Sequence, residues 1–88
     1  MKKICLVYKS AKHEEVYLYV DNQEKLGRVP RSLLEHLGKL TLVTTLVLTP
    51  EKNLARADSR KVINQINGRG YYLQLPPTVK DSLITKGG

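Results

Sequence analysis

The alternation of apolar and polar positions predicts four β-strands in this chain. Residues 4–8 are apolar on both alternating faces, which is typical of a central strand covered on both sides. Residues 16–20 alternate aliphatic side chains with tyrosine, and the polar stretch between these two segments favours an antiparallel hairpin. Residues 40–48 form the longest candidate. Residues 70–77, GYYLQLPP, predict a buried core strand that begins at a glycine turn and ends at two prolines.

The same alternation assigns side chains to the two faces of each strand. It predicts that Thr44 shares one face of the third strand with four leucines: Leu40, Leu42, Leu46 and Leu48. It separates Tyr17 and Tyr19 from the aliphatic face of the second strand. In the last strand, it separates Tyr72 and Gln74 from three other side chains: Tyr71, Leu73 and Leu75.

Two segments have the spacing of short amphipathic helices. Residues 30–37 start with a proline in the first turn, and Gly38 stands where a left-handed cap is expected. The buried stripe of this helix is predicted to be leucine: Leu33, Leu34 and Leu37. Residues 59–67 are expected to follow Asp58 as N-cap and to end at Gly68. The second buried stripe is predicted to be Val62, Ile63 and Ile66.

The resulting order, β-β-α-β-α-β, predicts an α/β (α+β) fold. We expect a mixed or antiparallel sheet of about four strands, packed with two or three helices. Eighty-eight residues leave room for one core, which we assign to residues 1–77. In the tail, residues 78–88, both a short helix and a disordered end remain open, since Val79, Leu83 and Ile84 fall at helical spacing.

The chain is basic, with 15 Lys and Arg against 8 Asp and Glu, for a net charge of +7. Such a charge favours anionic partners such as nucleic acid, an acidic protein or an anionic membrane surface. The excess is spread over both halves of the sequence, so it does not form a basic tail. Solubility alone is an equally good explanation of the net charge.

Several kinds of site are disfavoured by the sequence. Cys5 lies inside an apolar strand and is interpreted as a small buried hydrophobe, and a single cysteine allows no internal disulfide. His13 and His36 stand on separate polar segments without the further ligands that a zinc site needs. The glycines around Arg69 lie at a helix end, which is wrong for cradling phosphate. We therefore predict no metal and no cofactor.

No secretory signal or membrane helix is predicted. The apolar run after Lys3 has five residues, whereas a signal core needs about 7–15. The longest apolar-looking run, residues 40–48, is far short of the roughly 20 residues that a membrane helix needs. These features predict a cytoplasmic protein with no membrane association.

The motifs of this chain resemble the YcgL family of small proteobacterial proteins. The resemblance covers residues from about 4 to 77, and GYYLQLPP is its most specific part. The shorter motifs are YKS at 8–10, YLYV at 17–20, VP at 29–30, LG at 37–38 and AD at 57–58. The resemblance implies a compact cytoplasmic α/β domain and no catalytic residue. Leu26 and Leu37 stand where the family often has aromatic residues, which affects packing alone.

Two groups of residues are candidates for contact with a partner. The first group consists of the five cations within residues 51–69: Lys52, Arg56, Arg60, Lys61 and Arg69. It predicts a non-enzymatic binding module for RNA or another polyanion. The second group is a candidate interaction surface on the sheet: Tyr17, Tyr19, Tyr72 and Gln74. It predicts a protein-interaction domain, or stacking on bases if the sheet is open. An enzyme would instead need a pocket of convergent polar groups with perturbed pKa values.

Overall fold

The computed structural model describes residues 2–51 and 58–76, which form four strands and two helices. The strands are β1 (Lys3–Ser10), β2 (Tyr17–Asp21), β3 (Leu40–Leu48) and β4 (Tyr71–Gln74). The helices are α1 (Arg31–Leu37) and α2 (Ser59–Arg69). The predicted α/β (α+β) fold class and the predicted order of elements are confirmed.

The four strands form one antiparallel sheet in the order β3-β1-β2-β4. β1 lies at the centre, as its doubly apolar pattern predicts, with β2 and β3 on either side. The hairpin of β1 and β2 places Val7 opposite Tyr19, and β2 places Tyr19 opposite Tyr72 of β4. The last strand is therefore at an edge of the sheet, four residues long, and not in its centre.

The sheet has a hydrophobic cluster on each face. One face packs under α2, whose Val62, Ile63 and Ile66 are at most 2% exposed. The strand residues of this α2 face include Cys5, Val7, Tyr19 and Leu48. The other face packs against Leu37 of α1 and Val29 of the preceding segment. The strand residues of this α1 face include Leu6, Leu18, Val20 and Leu73. Since all three apolar side chains of α2 are buried as predicted, the spacing in that helix located its inner face correctly.

The helix boundaries follow from their caps. Asp58 is the N-cap of α2, because its side chain accepts a hydrogen bond from the Arg60 backbone N–H at 2.9 Å. The prediction that α2 ends at Gly68 is wrong: the helix continues to Arg69, and Gly70 is the left-handed cap at φ 94°. Gly68 is tolerated inside the last turn, whereas Gly70 occupies the position that needs a positive φ. Gly38 has the predicted positive φ, 72°, but its ψ of −151° lies outside the left-handed helical region.

A register shift in β3 contradicts the predicted face assignment of its leucines. Val7 pairs with Thr44 and the next residue, Tyr8, pairs with Leu42, so Val43 is an extra residue without a partner on β1. The extra residue reverses the alternation along the strand. Leu46 and Leu48 consequently belong to the α2 face, whereas Leu40 packs in the cluster of the α1 face.

Two predicted segments lie outside the described residues. They are the ambiguous stretch at 54–57 and the tail at 78–88. Within residues 2–51 and 58–76, neither helix is long and apolar enough to span a bilayer.

Candidate functional site

The exposed side of α2 is polar and carries positive charge without a carboxylate in the helix. Its sequence is SRKVINQINGR, and Arg60, Lys61 and Asn64 are exposed. The spacings of four and three residues that separate Arg60 and Lys61 from Asn64 place all three side chains on neighbouring positions of the helix surface. Arg60 and Asn64 line a shallow cleft of about 340 Å³ with Pro50 and Glu51. We refer to Arg60, Lys61 and Asn64 as the α2 cationic face.

Arg60 and Lys61 occupy the first turn of α2, where no acidic residue is present. A helix N-terminus carries partial positive charge, so cations in this turn are unfavourable by a few tenths of a kcal/mol each, and anions are favourable. Within the described residues, neither side chain forms an ion pair. Their placement therefore does not serve helix stability, and the described carboxylates at this end of α2 are those of the N-cap Asp58 and of Glu51 in the cleft.

Arg69, the remaining described cation of the predicted group, lies at the opposite end of α2. Its guanidinium carbon lies 4.3 Å from the ring centroid of Tyr71, and its Nε donates to the Tyr71 carbonyl at 3.2 Å. Positive charge at a helix C-terminus is favourable. Arg69 thus has a structural role, and it is separated from Arg60 by about 13 Å along the helix axis. Lys52 and Arg56 lie outside the described residues.

Arg28 also contacts the C-terminal end of α2, which the sequence did not reveal. Its guanidinium donates to the Gly68 carbonyl at 2.8 Å and to the Asn67 carbonyl at 3.4 Å. These are carbonyls that the last turn of a helix leaves unsatisfied. Arg28 and Gly68 are 40 positions apart in the sequence, so no local sequence pattern could have predicted their contact.

The four residues of the predicted interaction surface lie together on the α2 face of the sheet. Tyr17 is opposite Gln74, and Tyr19 is opposite Tyr72. The ring centroids of Tyr19 and Tyr72 are 5.7 Å apart in an edge-to-face arrangement. The Tyr19 hydroxyl donates to Gln74 Oε1 at 2.9 Å. Sequence reasoning therefore grouped these side chains correctly.

The sequence left the exposure of this group open, and α2 decides it. Tyr19 is 7% exposed and Gln74 is 9% exposed, because α2 covers this face of the sheet. Burial, followed by the neighbouring Tyr72 and Tyr17, raises the pKa of the Tyr19 hydroxyl. Of the four residues of the predicted interaction surface, Tyr19 and Gln74 are therefore core residues, and Tyr17 and Tyr72 are partly exposed. The sheet does not present an open row of aromatic rings for bases to stack on.

The structure forms a second cleft that the sequence did not predict. It has a volume of about 420 Å³ and lies where the β1–β2 connection, the end of α1 and the end of β4 meet. Val16, Leu37 and Leu73 contribute apolar lining. His13 and His36, which are far apart in sequence, also line it and stack with ring centroids 4.7 Å apart.

Hydrogen bonds to the end of α1 hold the histidine pair in place. The Ser10 hydroxyl is buried; it donates to the Leu37 carbonyl at 2.6 Å and accepts from the His13 backbone N–H at 3.1 Å. The Lys12 ammonium group donates to the Glu35 carbonyl at 3.3 Å. The cleft can accommodate an apolar group beside two imidazoles. Within residues 2–51 and 58–76, no group of three or more His, Cys, Asp or Glu side chains could hold a metal ion.

Two further pKa shifts have structural causes. Burial raises the pKa of the Cys5 thiol to about 11, with the Lys3 ammonium group opposing and Asp21 adding to the shift. Burial opposes ionisation of Asp21, but hydrogen bonds from the backbone N–H groups of Glu24 and Gln23 and from Lys3 lower its pKa overall. Neither Cys5 nor Asp21 lines the cleft that contains His13 and His36, and neither belongs to the α2 cationic face. Cys5 is fully buried, so its interpretation as a small core residue is confirmed.

The chain matches known proteins over most of its length. The family model of the YcgL domain matches residues 5–77. A YcgL domain-containing protein of Cellvibrio japonicus is 56% identical over 77 residues, which is 88% of this chain and 79% of that protein. A relative from Pseudomonas paraeruginosa is 52% identical over the same shares of the two chains. One from Hahella chejuensis is 41% identical over 94% of this chain and 78% of its own length. This chain therefore belongs to the YcgL domain family.

Proposed function

We propose that this protein is a binding module for RNA or another polyanion and that the α2 cationic face is its contact surface. The observation that carries the proposal is the position of Arg60 and Lys61 in the first turn of a helix without a carboxylate. A phosphate bound beside them would interact favourably with both cations, while the Asp58 carboxylate caps the end of the helix itself. Asn64, exposed one turn further along, adds a hydrogen-bond donor beside them.

The proposed binding is directed at the phosphate backbone rather than at the bases. Lysine and arginine contacts to phosphate carry no sequence information. Base stacking would need exposed aromatic rings, and Tyr19 is buried under α2. The protein should consequently bind different single-stranded RNAs with similar affinity. Its affinity should fall with salt by about 0.7 logarithmic units per tenfold increase in salt for each phosphate contacted.

Filter binding of a mixed single-stranded RNA tests the proposal. With four phosphates contacted, raising the salt from about 50 to about 200 mM should weaken binding by about 50-fold. The double variant Arg60→Ala and Lys61→Ala should bind more weakly at the lower salt and should show a shallower salt dependence. Absence of binding by the original protein at about 50 mM salt would overturn the proposal.

A matched control separates the α2 cationic face from net charge. Lys2 and Arg31 are also exposed cations, and neither lies on α2. The double variant Lys2→Ala and Arg31→Ala removes the same charge, and it should retain most of the RNA affinity. Equal weakening in the two double variants would contradict a localised site. RNA and an acidic protein both carry repeated negative charge, but only RNA carries phosphates. Competition between polyglutamate and RNA for the protein therefore distinguishes these two kinds of partner.

The alternative, a protein-interaction domain, has less support. Its proposed surface now rests on Tyr17 and Tyr72, which are partly exposed, because Tyr19 and Gln74 are buried. A partner lost on Tyr17→Ala and retained after nuclease treatment would favour this alternative over RNA.

A further inference from the structure

The cleft between the β1–β2 connection, the end of α1 and the end of β4 has the size and lining of a small-molecule site. Its volume of about 420 Å³ falls within the roughly 300–1,000 Å³ of known ligand pockets, which combine apolar walls with a few polar groups. The apolar lining residues are Val16, Leu37, Leu73, Leu75 and Pro76. The polar ones are Lys12, His13, Glu14 and His36. We call this cavity the histidine cleft.

The apolar side of the histidine cleft joins the protein core to an exposed leucine. Val16 and Leu37 are buried members of the cluster on the α1 face, and Leu73 packs against that cluster. Leu75, just after β4, is 54% exposed. The floor is therefore held by the fold, and an apolar ligand would remove further surface of Leu75 from water.

The polar side of the cleft is held by the end of α1. A Cβ on Gly38 would lie 2.8 Å from Lys12 Cγ, so the absence of a side chain lets the stem of Lys12 cross this end of the helix. The carbonyls of Leu37 and Glu35 already have side-chain donors. Within residues 2–51 and 58–76, each imidazole ring stacks on the other, and no hydrogen bond uses its nitrogen atoms. Both rings thus keep their hydrogen-bonding capacity for a ligand.

We propose that the histidine cleft binds a small organic carboxylate whose apolar body packs on the cleft floor and whose carboxylate accepts hydrogen bonds from His13 and His36. An imidazole has an N–H donor in either protonation state, and an ionised carboxylate only accepts. Lys12 balances the charge of Glu14 in the lining, so protonation of either imidazole makes the cleft positive. The cleft is on the α1 face, opposite α2, and its ligand binding is independent of the proposed polyanion binding.

A nuclear magnetic resonance titration of the isotope-labelled full chain with 2-naphthoate tests the proposal. This probe joins two fused aromatic rings to one carboxylate. We expect saturable shifts centred on the backbone amides of the histidine cleft, with a dissociation constant of about 1 mM or lower. 2-Naphthamide has the same shape without the charge and should bind about fivefold more weakly or worse. The proposal would be overturned by absence of saturation up to about 10 mM, by shifts centred on α2, or by equal binding of the two probes.

Matched leucine substitutions locate the binding site. Leu75→Glu removes an apolar contact and adds a second carboxylate to the cleft, so it should weaken 2-naphthoate binding about tenfold or more. Leu42→Glu makes the same change at a leucine of β3 that is 50% exposed and does not line the cleft. This control should bind the probe as the original protein does. Equal weakening in the two variants would contradict the site.

The pH dependence of binding tests the imidazoles. Imidazole side chains gain positive charge as the pH falls from about 8 to about 6, whereas lysine and glutamate side chains keep their charges. The titratable lining residues are Lys12, His13 and Glu14 from the β1–β2 connection and His36 from α1, where the exposed Glu35 precedes it. Affinity for 2-naphthoate should rise about threefold or more over this range. The double variant His13→Gln and His36→Gln should lose that rise, and a rise that persists would contradict the role of the two rings.

Discussion

The Tyr19 hydroxyl donates a 2.9 Å hydrogen bond to Oε1 of Gln74, which lies 55 residues further along the chain. Both side chains are buried under α2, so this bond joins β2 to β4 in the interior of the protein. β4 is short, and it is held to β2 by backbone pairing and by this side-chain contact. The pair therefore helps to fix the edge strand that carries the GYYLQLPP motif.

Removal of the Tyr19 hydroxyl should destabilise the protein. Tyr19→Phe leaves the buried Gln74 amide oxygen without this donor, which costs about 1–2 kcal/mol. Gln74→Leu in the same background should recover part of the loss, because both polar groups are then gone. Urea unfolding of the two single variants and the double variant measures the coupling, expected at about 1 kcal/mol. Strictly additive effects would show that the bond contributes no coupling energy.

Gly68 and Gly70 should respond in opposite ways to alanine. A Cβ on Gly68 would meet nothing within 4 Å, so Gly68→Ala should stabilise α2 by about 0.5–1 kcal/mol. A Cβ on Gly70 would collide with the Cβ of Arg28, at a residue whose φ is +94°. Gly70→Ala should therefore destabilise the protein by about 2 kcal/mol or more. Thermal unfolding of both variants is the measurement, and similar effects of the two would contradict the position of the cap.

The Cys5 thiol should be nearly unreactive in the folded protein. Its side chain is fully buried, and burial raises its pKa to about 11. At about pH 8, only roughly one molecule in a thousand then carries the thiolate, which is the reactive form. Labelling with dithionitrobenzoate should be slow in buffer and immediate in denaturant. Rapid labelling without denaturant would show that β1 opens readily.

Asp21 should contribute to the acid sensitivity of the fold. Its pKa is lowered from 3.8 in the folded protein, so the unfolded chain takes up the proton first as the pH falls. The contribution of Asp21 to stability is therefore complete above about pH 5 and is lost as the pH falls through its folded pKa. Asp21→Asn should flatten the decrease in unfolding free energy below pH 4, by about 1 kcal/mol or less. Urea unfolding at several pH values measures it, with Glu14→Gln as an exposed control.

Local sequence was sufficient for the elements and for the inner face of α2. Alternation, proline and a capping aspartate are properties of a few neighbouring residues, and they located all four strands and both helices. The alternation of side chains along a strand also predicts that Tyr17, Tyr19, Tyr72 and Gln74 lie on one face. This alternation could not show that α2 covers that face, because the covering helix is distant in sequence.

Tertiary structure decided the features that depend on contacts between distant residues. The extra residue Val43 moved Leu40 to the opposite face from Leu46, since strand register depends on how β3 fits against β1. Contacts between segments that are distant in sequence also stacked His13 on His36 and placed Arg28 at the end of α2. The sequence pattern at residues 70–77 predicts a core strand. Among the described strands, the fold places it at an edge beside β2, because strand order depends on pairing between segments that are distant in sequence.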